Sequence, residues 1–496
     1  MRELVAELES RAATSAAAGD AVIAADADGE HSLRELLRAA EELSTAVRDV
    51  AGPQATILVQ ADNSWRTVVA ALAAGKLDGT LGLLSHHATR AEYDAACEDI
   101  DPAVVIASPE CLGEWSPDSD GPQVLDGWGS RTRTARPGPR WNGGVVIGLT
   151  SGSTGRPKGV VQSEAALRYA GRSTIEVVGL ASGDSVAALV PLSSAAAFCF
   201  GLYLPLMLGG RIVFLDRWHP PTALRLMAEH DVRWTMCVPT MVLQLASSVE
   251  GDRPLRGVRA MTIGGGPMEE AALARAEERL GTRILRVFGM SECLGHTSPR
   301  LDDPDETRLG TDGRPFPGTD LRVVDLDGAR VPAGEIGRAQ VHGPSLFLGY
   351  ARSGTVDSPE VTADGYFPTG DLMSVRADGV VSVRGREKDV IIRGGRNIDI
   401  VEVETALASH PSVEQLCIVP VPDELLGERV AVLVVTPDAG FDLDAATAHL
   451  DQRGLMKGKW PEYLFRVDEL PLNRVGKLSR ADAARMAREL SERSAV

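Results

Sequence analysis

Six cysteines, Cys97, Cys111, Cys199, Cys237, Cys293 and Cys417, are spread along 496 residues with no C-x-x-C pair and no His/Cys cluster. That spacing excludes a disulfide scaffold and the usual thiolate-imidazole metal sites, and reads as reduced, mostly buried small apolar side chains. Cys293 stands beside a candidate site motif, but nothing around it predicts the lowered pKa that a nucleophilic thiol needs. Positive charge is also scarce: 51 Lys and Arg against 69 Asp and Glu leave a formal net charge of −18. This argues against a general nucleic-acid binder and against attraction to anionic membranes. Long apolar runs are missing as well, since none approaches the ~20 residues of a membrane span. The opening MRELVAELES has acids where a signal peptide would have a basic and then an apolar stretch. The expectation is a cytoplasmic protein with no nucleic-acid partner and no membrane span.

What is present is enough apolar residue, 44%, for more than one core at this length. Helical spacing over 33–47 and 65–77 alternates with strand-like runs at 55–59 and 103–107. This is βαβ organisation and predicts a mainly parallel sheet covered by helices. Residues 109–142, rich in Pro, Gly, Asp and Arg, read as an irregular connection. Further strands are expected at 186–190, 211–215, 234–238 and 284–287, with the Ala-rich 191–208 as core or pocket wall. Beyond 310, short strands at 321–325, 339–343 and 380–383, separated by Gly turns, suggest a small antiparallel barrel or sheet. The charged cluster Gly385-Arg386-Glu387-Lys388-Asp389 suits a domain boundary, with a small α+β unit over 386–496.

The most informative stretch is Leu149-Thr150-Ser151-Gly152-Ser153-Thr154-Gly155-Arg156-Pro157-Lys158-Gly159-Val160. Glycines let the backbone approach a ligand closely, so that N–H groups and the hydroxyls of Thr150, Ser151, Ser153 and Thr154 can meet phosphate oxygens, while Lys158 adds positive charge. The spacing is not that of the Walker loop. A helix is expected over 164–177, and its N-terminal dipole faces the same anion if the loop turns directly into it.

Later motifs supply other chemistry. Gly264-Gly265-Gly266-Pro267-Met268 ends a strand before a helix, where α/β sheets bind flat ligands. Phe288-Gly289-Met290-Ser291-Glu292 sets an acid at a strand end, able to face Mg2+ held between phosphates. The carboxylate of Asp371, in Tyr366-Phe367-Pro368-Thr369-Gly370-Asp371-Leu372, can accept hydrogen bonds from both hydroxyls of a ribose.

In order and spacing, LTSGSTGRPKGV, GGGPM, VFGMSE, YFPTGDL, GREKDVIIRGGRNI and NRVGKLSR together resemble the adenylate-forming superfamily of acyl- and aryl-CoA ligases, peptide-synthetase adenylation domains and luciferases. The resemblance implies an α/β fold. A large multi-lobed N-terminal domain, residues 1–385, would hold mainly parallel sheets and a small β-barrel-like subdomain, and a mobile α+β lid would follow over 386–496. It further implies that residues 150–159 hold the ATP phosphates and that Gly264, Gly265, Gly266, Phe288, Gly289, Met290 and Ser291 line the nucleotide slot. Glu292 would bind Mg2+, Asp371 and Arg386 the nucleotide, Lys477 would be the adenylation lysine, and Lys388 the hinge. Lys477, Glu292 and Thr150 are the catalytic candidates. Ser194, Phe198, Gly264, Gly289 and His296 are the pocket candidates.

The chain departs from the pattern at Ser194, which aligns with a histidine of many acyl- and aryl-CoA ligases and cannot carry its charge. The implied reaction is ATP- and Mg2+-dependent adenylation of a carboxylic acid, followed by acyl transfer to a thiol, foremost that of CoA. Alternatives are transfer to a separate carrier protein or an amine, activation of an oxyanion such as nitrite, or, outside enzymes, nucleotide binding without turnover. A homodimer is left open.

Overall fold

The computed structural model describes residues 1–116, 122–136, 138–150, 157–266, 269–387, 389–394, 396–472 and 478–494. By contact density the chain divides into two units: residues 1–265, 274–320 and 342–367, and residues 266–273, 321–341 and 368–496.

The first unit carries two large sheets. One runs in the order Arg283–Arg286, Ala260–Ile263, Val232–Cys237, Ser185–Ala188, Ile212–Phe214, Val22–Asp26 and Gly29–Ser32. It is parallel except for the closing hairpin Val22–Asp26/Gly29–Ser32. The other is nine-stranded, with a parallel centre of Gly144–Thr150, Thr80–Leu84, Thr56–Gln60 and Val104–Ala107 and antiparallel strands on both flanks. The central strands Thr56–Gln60 and Thr80–Leu84 are buried at every position, as a sheet covered on both faces requires. The helix expected over 33–47 forms as Leu33–Ala51, started by a Ser32/Glu35 capping box and ended at Gly52.

The stretch 109–142 is more regular than its composition suggested. Ser108 caps the helix Pro109–Trp115, with proline at the first turn where no N–H is needed, and Trp115 is buried. Trp128–Thr132 then pairs antiparallel with Val104–Ala107. Turn residues dominate the sequence there, but tertiary pairing decides the strand.

A buried Asn63 fixes the chain leading to the candidate pocket. Its amide donates to the carbonyls of Ala188 (2.9 Å), Leu215 (3.3 Å) and Val190 (3.4 Å) and its oxygen accepts from the Leu192 N–H (3.0 Å). The next residues are Ser193 and Ser194, whose hydroxyl caps the helix Ala195–Phe198.

The second unit holds a four-stranded sheet in the order Asp320–Val324, Ile336–His342, Phe367–Val375 and Val381–Arg386, and no closed barrel forms among the described residues. Its other sheet is built on the antiparallel pair Gln415–Asp423/Gly427–Val435. Alternation splits those strands cleanly: Ile418, Val430, Val432 and Val434 pack toward Val403, Leu407 and Leu450, while Cys417, Val419, Val421, Ala431 and Leu433 pack toward Ala483 and Ala487. Helices thus cover both faces, the α+β arrangement expected of this stretch. Arg480 is tied here to Glu404 by two bonds of 2.7 and 2.8 Å and reaches the Ile418 carbonyl.

Candidate active site

The strand Gly144–Thr150 continues, beyond the glycine- and hydroxyl-rich stretch, into an antiparallel partner, Lys158–Ser163, with Thr150 opposite Lys158. The helix expected to point at the phosphates starts only at Glu164, after that six-residue strand. At about 3.3 Å per residue its N-terminus is some 20 Å along the chain from Lys158, so its dipole is not the anion-binding element. Lys158 itself is exposed, and the Thr150 hydroxyl donates to its carbonyl at 3.3 Å. Ser151, Gly152, Ser153, Thr154 and Gly155 lie outside the described residues.

Gly148 explains how Ser194 comes close to this strand. A Cβ at Gly148 would lie 2.3 Å from the Ala195 nitrogen, so only glycine lets the helix Ala195–Phe198 start against the strand. The Ser194 hydroxyl accepts from the Ala197 N–H at 3.1 Å, a capping role that histidine would not fill in the same way. Phe198 is wholly buried in the core of this unit.

Glu292 sits at the turn between Phe288–Met290 and Cys293–Ser298. Three contacts hold that turn: the buried Gln162 amide donates to the Ser291 carbonyl (2.7 Å), the Phe347 N–H to the Glu292 carbonyl (2.8 Å), and the Tyr350 hydroxyl to Glu292 Oε1 (2.9 Å). Glu292 Oε2 has no partner among the described residues. Burial, with the Glu292 charge, raises the Tyr350 pKa, so the phenol stays a neutral donor. The Lys158 ammonium lies 5.2 Å from the centre of the same ring. Cys293 beside it is buried, which pushes its thiol up to about 11, consistent with a residue that is no nucleophile.

His296 is fully buried, with its ring centre 4.7 Å from that of Phe288 and neither nitrogen hydrogen-bonded among the described residues. Burial pushes its ionisation down to about 3, so the imidazole is neutral at neutral pH. Its neighbour Gly295 has φ +53° and leaves no room for a side chain: a Cβ would lie 2.9 Å from the Phe200 ring and 3.2 Å from that of Phe316. Gly264 is similarly close to the Val287 carbonyl, which lies 2.9 Å from a would-be Cβ, while Gly265 and Gly266 are exposed. Met290 and Ser291 are half-buried and Gly289 is exposed.

In the second unit Asp371 and Arg386 face each other across the pair Phe367–Val375/Val381–Arg386, with Arg386 Nε donating to Oδ1 at 3.2 Å. Asp371 is only 2% exposed, and its Oδ2 is buried with no hydrogen-bond partner among the described residues. Burial raises its pKa despite the arginine. An orphaned carboxylate oxygen is costly unless a ligand completes it. Lys388, Pro267, Met268 and Lys477 lie outside the described residues.

Among the described residues no group of three or more His, Cys, Asp or Glu side chains could hold a metal ion, and no helix is long and apolar enough to cross a membrane. Glu292, with one oxygen free of partners among the described residues, is suited to a magnesium ion, a hard cation that takes oxygen ligands. Sequence reading overlooked Tyr350, Gln162 and Asn63, because each acts through a contact with a residue at least 58 positions away.

The family model described as AMP-binding enzyme matches residues 9–351, and that described as AMP-binding enzyme C-terminal domain matches residues 402–477. The chain belongs to this family of adenylate-forming enzymes. It is 33% identical to a Streptomyces salicylyl-CoA synthase / salicylate adenylyltransferase over 93% of this chain and 90% of that one. To enterobactin synthase component E of Escherichia coli K12 it is 30% identical, covering 94% and 91%. Among solved structures, ATP-bound MatB from Rhodopseudomonas palustris superposes with a TM-score of 0.84 at 25% identity, covering 98% of this chain and 99% of that one. The chain is thus an AMP-forming ligase with an adenylation step that uses ATP and Mg2+.

Proposed function

We propose that this ligase activates an aromatic carboxylic acid as its acyl-adenylate and passes the acyl group to the thiol of CoA. The observation that carries the nucleotide half is the orphaned, buried Oδ2 of Asp371, an acceptor suited to a ribose hydroxyl. The aryl preference rests on the Phe200 and Phe316 rings drawn against Gly295, and on relatives whose names specify salicylate and 2,3-dihydroxybenzoate.

In this reading the acid's carboxylate oxygen attacks the α-phosphorus and pyrophosphate leaves. Negative charge builds on the oxygens around phosphorus, and Lys158 and the N–H groups of residues 150–159 stabilise it there. Magnesium bound through Glu292 supplies further charge neutralisation. Asp371, with Arg386, orients the nucleotide. Lys477 serves as the adenylation lysine, Lys388 as the hinge between residues 1–385 and the lid 386–496, Ser194, Gly264 and Gly289 line the acid pocket, and the fully buried Phe198 and His296 shape it only from within the core. No side-chain nucleophile takes part.

A second reading, transfer to a carrier-protein thiol, is favoured by relatives whose names stop at the adenylate, such as the Vibrio cholerae vibriobactin-specific 2,3-dihydroxybenzoate-AMP ligase. An acid-dependent ATP–pyrophosphate exchange screen over aromatic, alicyclic and aliphatic acids, repeated as a pyrophosphate-release assay with and without CoA, tests both. Exchange restricted to aliphatic acids removes the aryl assignment. Aryl exchange with no stimulation of turnover by CoA transfers the second step to a carrier.

A further inference from the structure

Tyr350 joins two charged groups without letting them meet. The strand Gly349–Arg352 pairs antiparallel with Lys158–Ser163, with Tyr350 opposite Val160 and Ala351 opposite Gly159. Lys158 is therefore a diagonal neighbour of Tyr350 on one face of the sheet, a separation that a long side chain spans. The lysine ammonium lies over the ring at 5.2 Å from its centre, and the ring's hydroxyl donates to Glu292 Oε1 at 2.9 Å. Phe347 packs edge-on against the same ring, 4.9 Å between centres, while its own N–H holds the Glu292 carbonyl at 2.8 Å. No ion pair of Lys158 or Glu292 is found among the described residues; their contacts are the Tyr350 ring and the Tyr350 hydroxyl respectively.

We propose that Tyr350 is a positioning residue for magnesium-nucleotide binding: its hydroxyl occupies one oxygen of Glu292 and turns the other toward the cation, and its ring keeps Lys158 from closing onto that carboxylate. A lysine on a five-bond tether beside an uncommitted carboxylate would otherwise pair with it. Such a pair would neutralise the metal ligand and the phosphate-binding cation together. The phenol is a suitable separator because its face attracts the ammonium while its hydroxyl donates to the carboxylate. Phenylalanine retains the first function and loses the second; leucine loses both. The inference rests on the reading of Glu292 as the magnesium carboxylate.

The test is Mn2+ binding, followed by electron paramagnetic resonance, to the full chain in the presence of α,β-methylene-ATP. Tyr350→Phe is expected to weaken Mn2+ binding about tenfold, the loss of one hydrogen bond to a charged group, and to raise the Mg2+ concentration for half-maximal pyrophosphate exchange in parallel. The KM of the acid should change less than twofold, about the scatter expected for a site that does not touch it. Tyr350→Leu should weaken binding of the nucleotide analogue itself as well, with a dependence on salt that wild type lacks. Glu292→Gln should abolish Mn2+ binding by the protein, and adding Tyr350→Phe to it should change nothing more. Wild-type Mn2+ affinity in Tyr350→Phe with lost binding in Glu292→Gln overturns the role of Tyr350 alone. Unchanged Mn2+ binding in both overturns the reading of Glu292 as well. A drop in Tyr350→Phe that affects acid, nucleotide and metal equally identifies a general structural defect and also overturns the proposal.

Discussion

Replacing Asp371 by asparagine should separate stability from function in opposite directions. In the folded chain its carboxylate is 2% exposed, one oxygen is held by Arg386 and the other has no partner among the described residues. Asparagine fills the same volume without a charge to bury, and the Arg386 side chain, 63% exposed, is released largely to water. The fold therefore loses little, and its urea midpoint should be unchanged or higher. Because burial raises the folded pKa of Asp371 above its ordinary 3.8, the folded state holds this proton more tightly than the unfolded chain. The wild type then loses stability relative to the variant as pH rises from 3.8 through the folded value, and the difference is constant above it. Nucleotide binding should move the other way. Losing one hydrogen bond to a charged acceptor costs about 1.5–3 kcal/mol, or about 10- to 100-fold in affinity. Calorimetric titration of α,β-methylene-ATP beside urea unfolding at pH 4 and 7 reads both quantities. A variant that unfolds more easily yet binds the nucleotide as tightly as wild type refutes the argument and makes Asp371 a structural half of an ion pair.

Three other outcomes are expected. His296 folds neutral with an ionisation near 3 against 6.5 in the unfolded chain, so its contribution is lost as pH falls below 6.5 and amounts to about 2–3 kcal/mol at pH 4.5; His296→Leu should flatten the acid limb of the urea midpoint, and an unaltered limb contradicts the burial. Asn63→Leu strands the carbonyls of Ala188, Val190 and Leu215 and the N–H of Leu192, which should destabilise the first unit by on the order of 3 kcal/mol or more, read as a lower thermal midpoint. Gly148→Ala forces a Cβ against the backbone of Ala195, and should lower the yield of folded protein and, in what folds, shift the preference among acids through Ser194; a variant with wild-type midpoint and acid profile removes that contact from the account.

The βαβ rhythm was legible because buried strands such as Thr56–Gln60 are short unbroken apolar runs between helical periods. The phosphate stretch, the Glu292 turn and Asp371 stand out in the sequence as candidates because each sets its polar and glycine residues in consecutive positions. Over 109–142 composition points to an irregular connection, yet the strand Trp128–Thr132 forms there because its partner lies outside the local sequence. The helix start at Glu164 was legible, whereas the strand Lys158–Ser163 before it was not, since Gly-Val-Val-Gln fits either period over so short a span. Tyr350 is an ordinary strand tyrosine by pattern, and only the register with Lys158–Ser163 and the contact to Glu292 give it meaning. The burial of His296 is likewise a tertiary fact, since a histidine three residues past a turn reads equally well as a ligand contact.

Attack of a carboxylate oxygen on the α-phosphorus leaves a mark that is independent of the natural acceptor. An aryl acid that supports pyrophosphate exchange is supplied with both carboxylate oxygens as 18O, ATP and Mg2+ are added, and hydroxylamine traps the acyl group. Mass spectrometry of the nucleotide should find AMP carrying one 18O per hydroxamate formed. Unlabelled AMP, or ADP with the label in inorganic phosphate, would contradict the account.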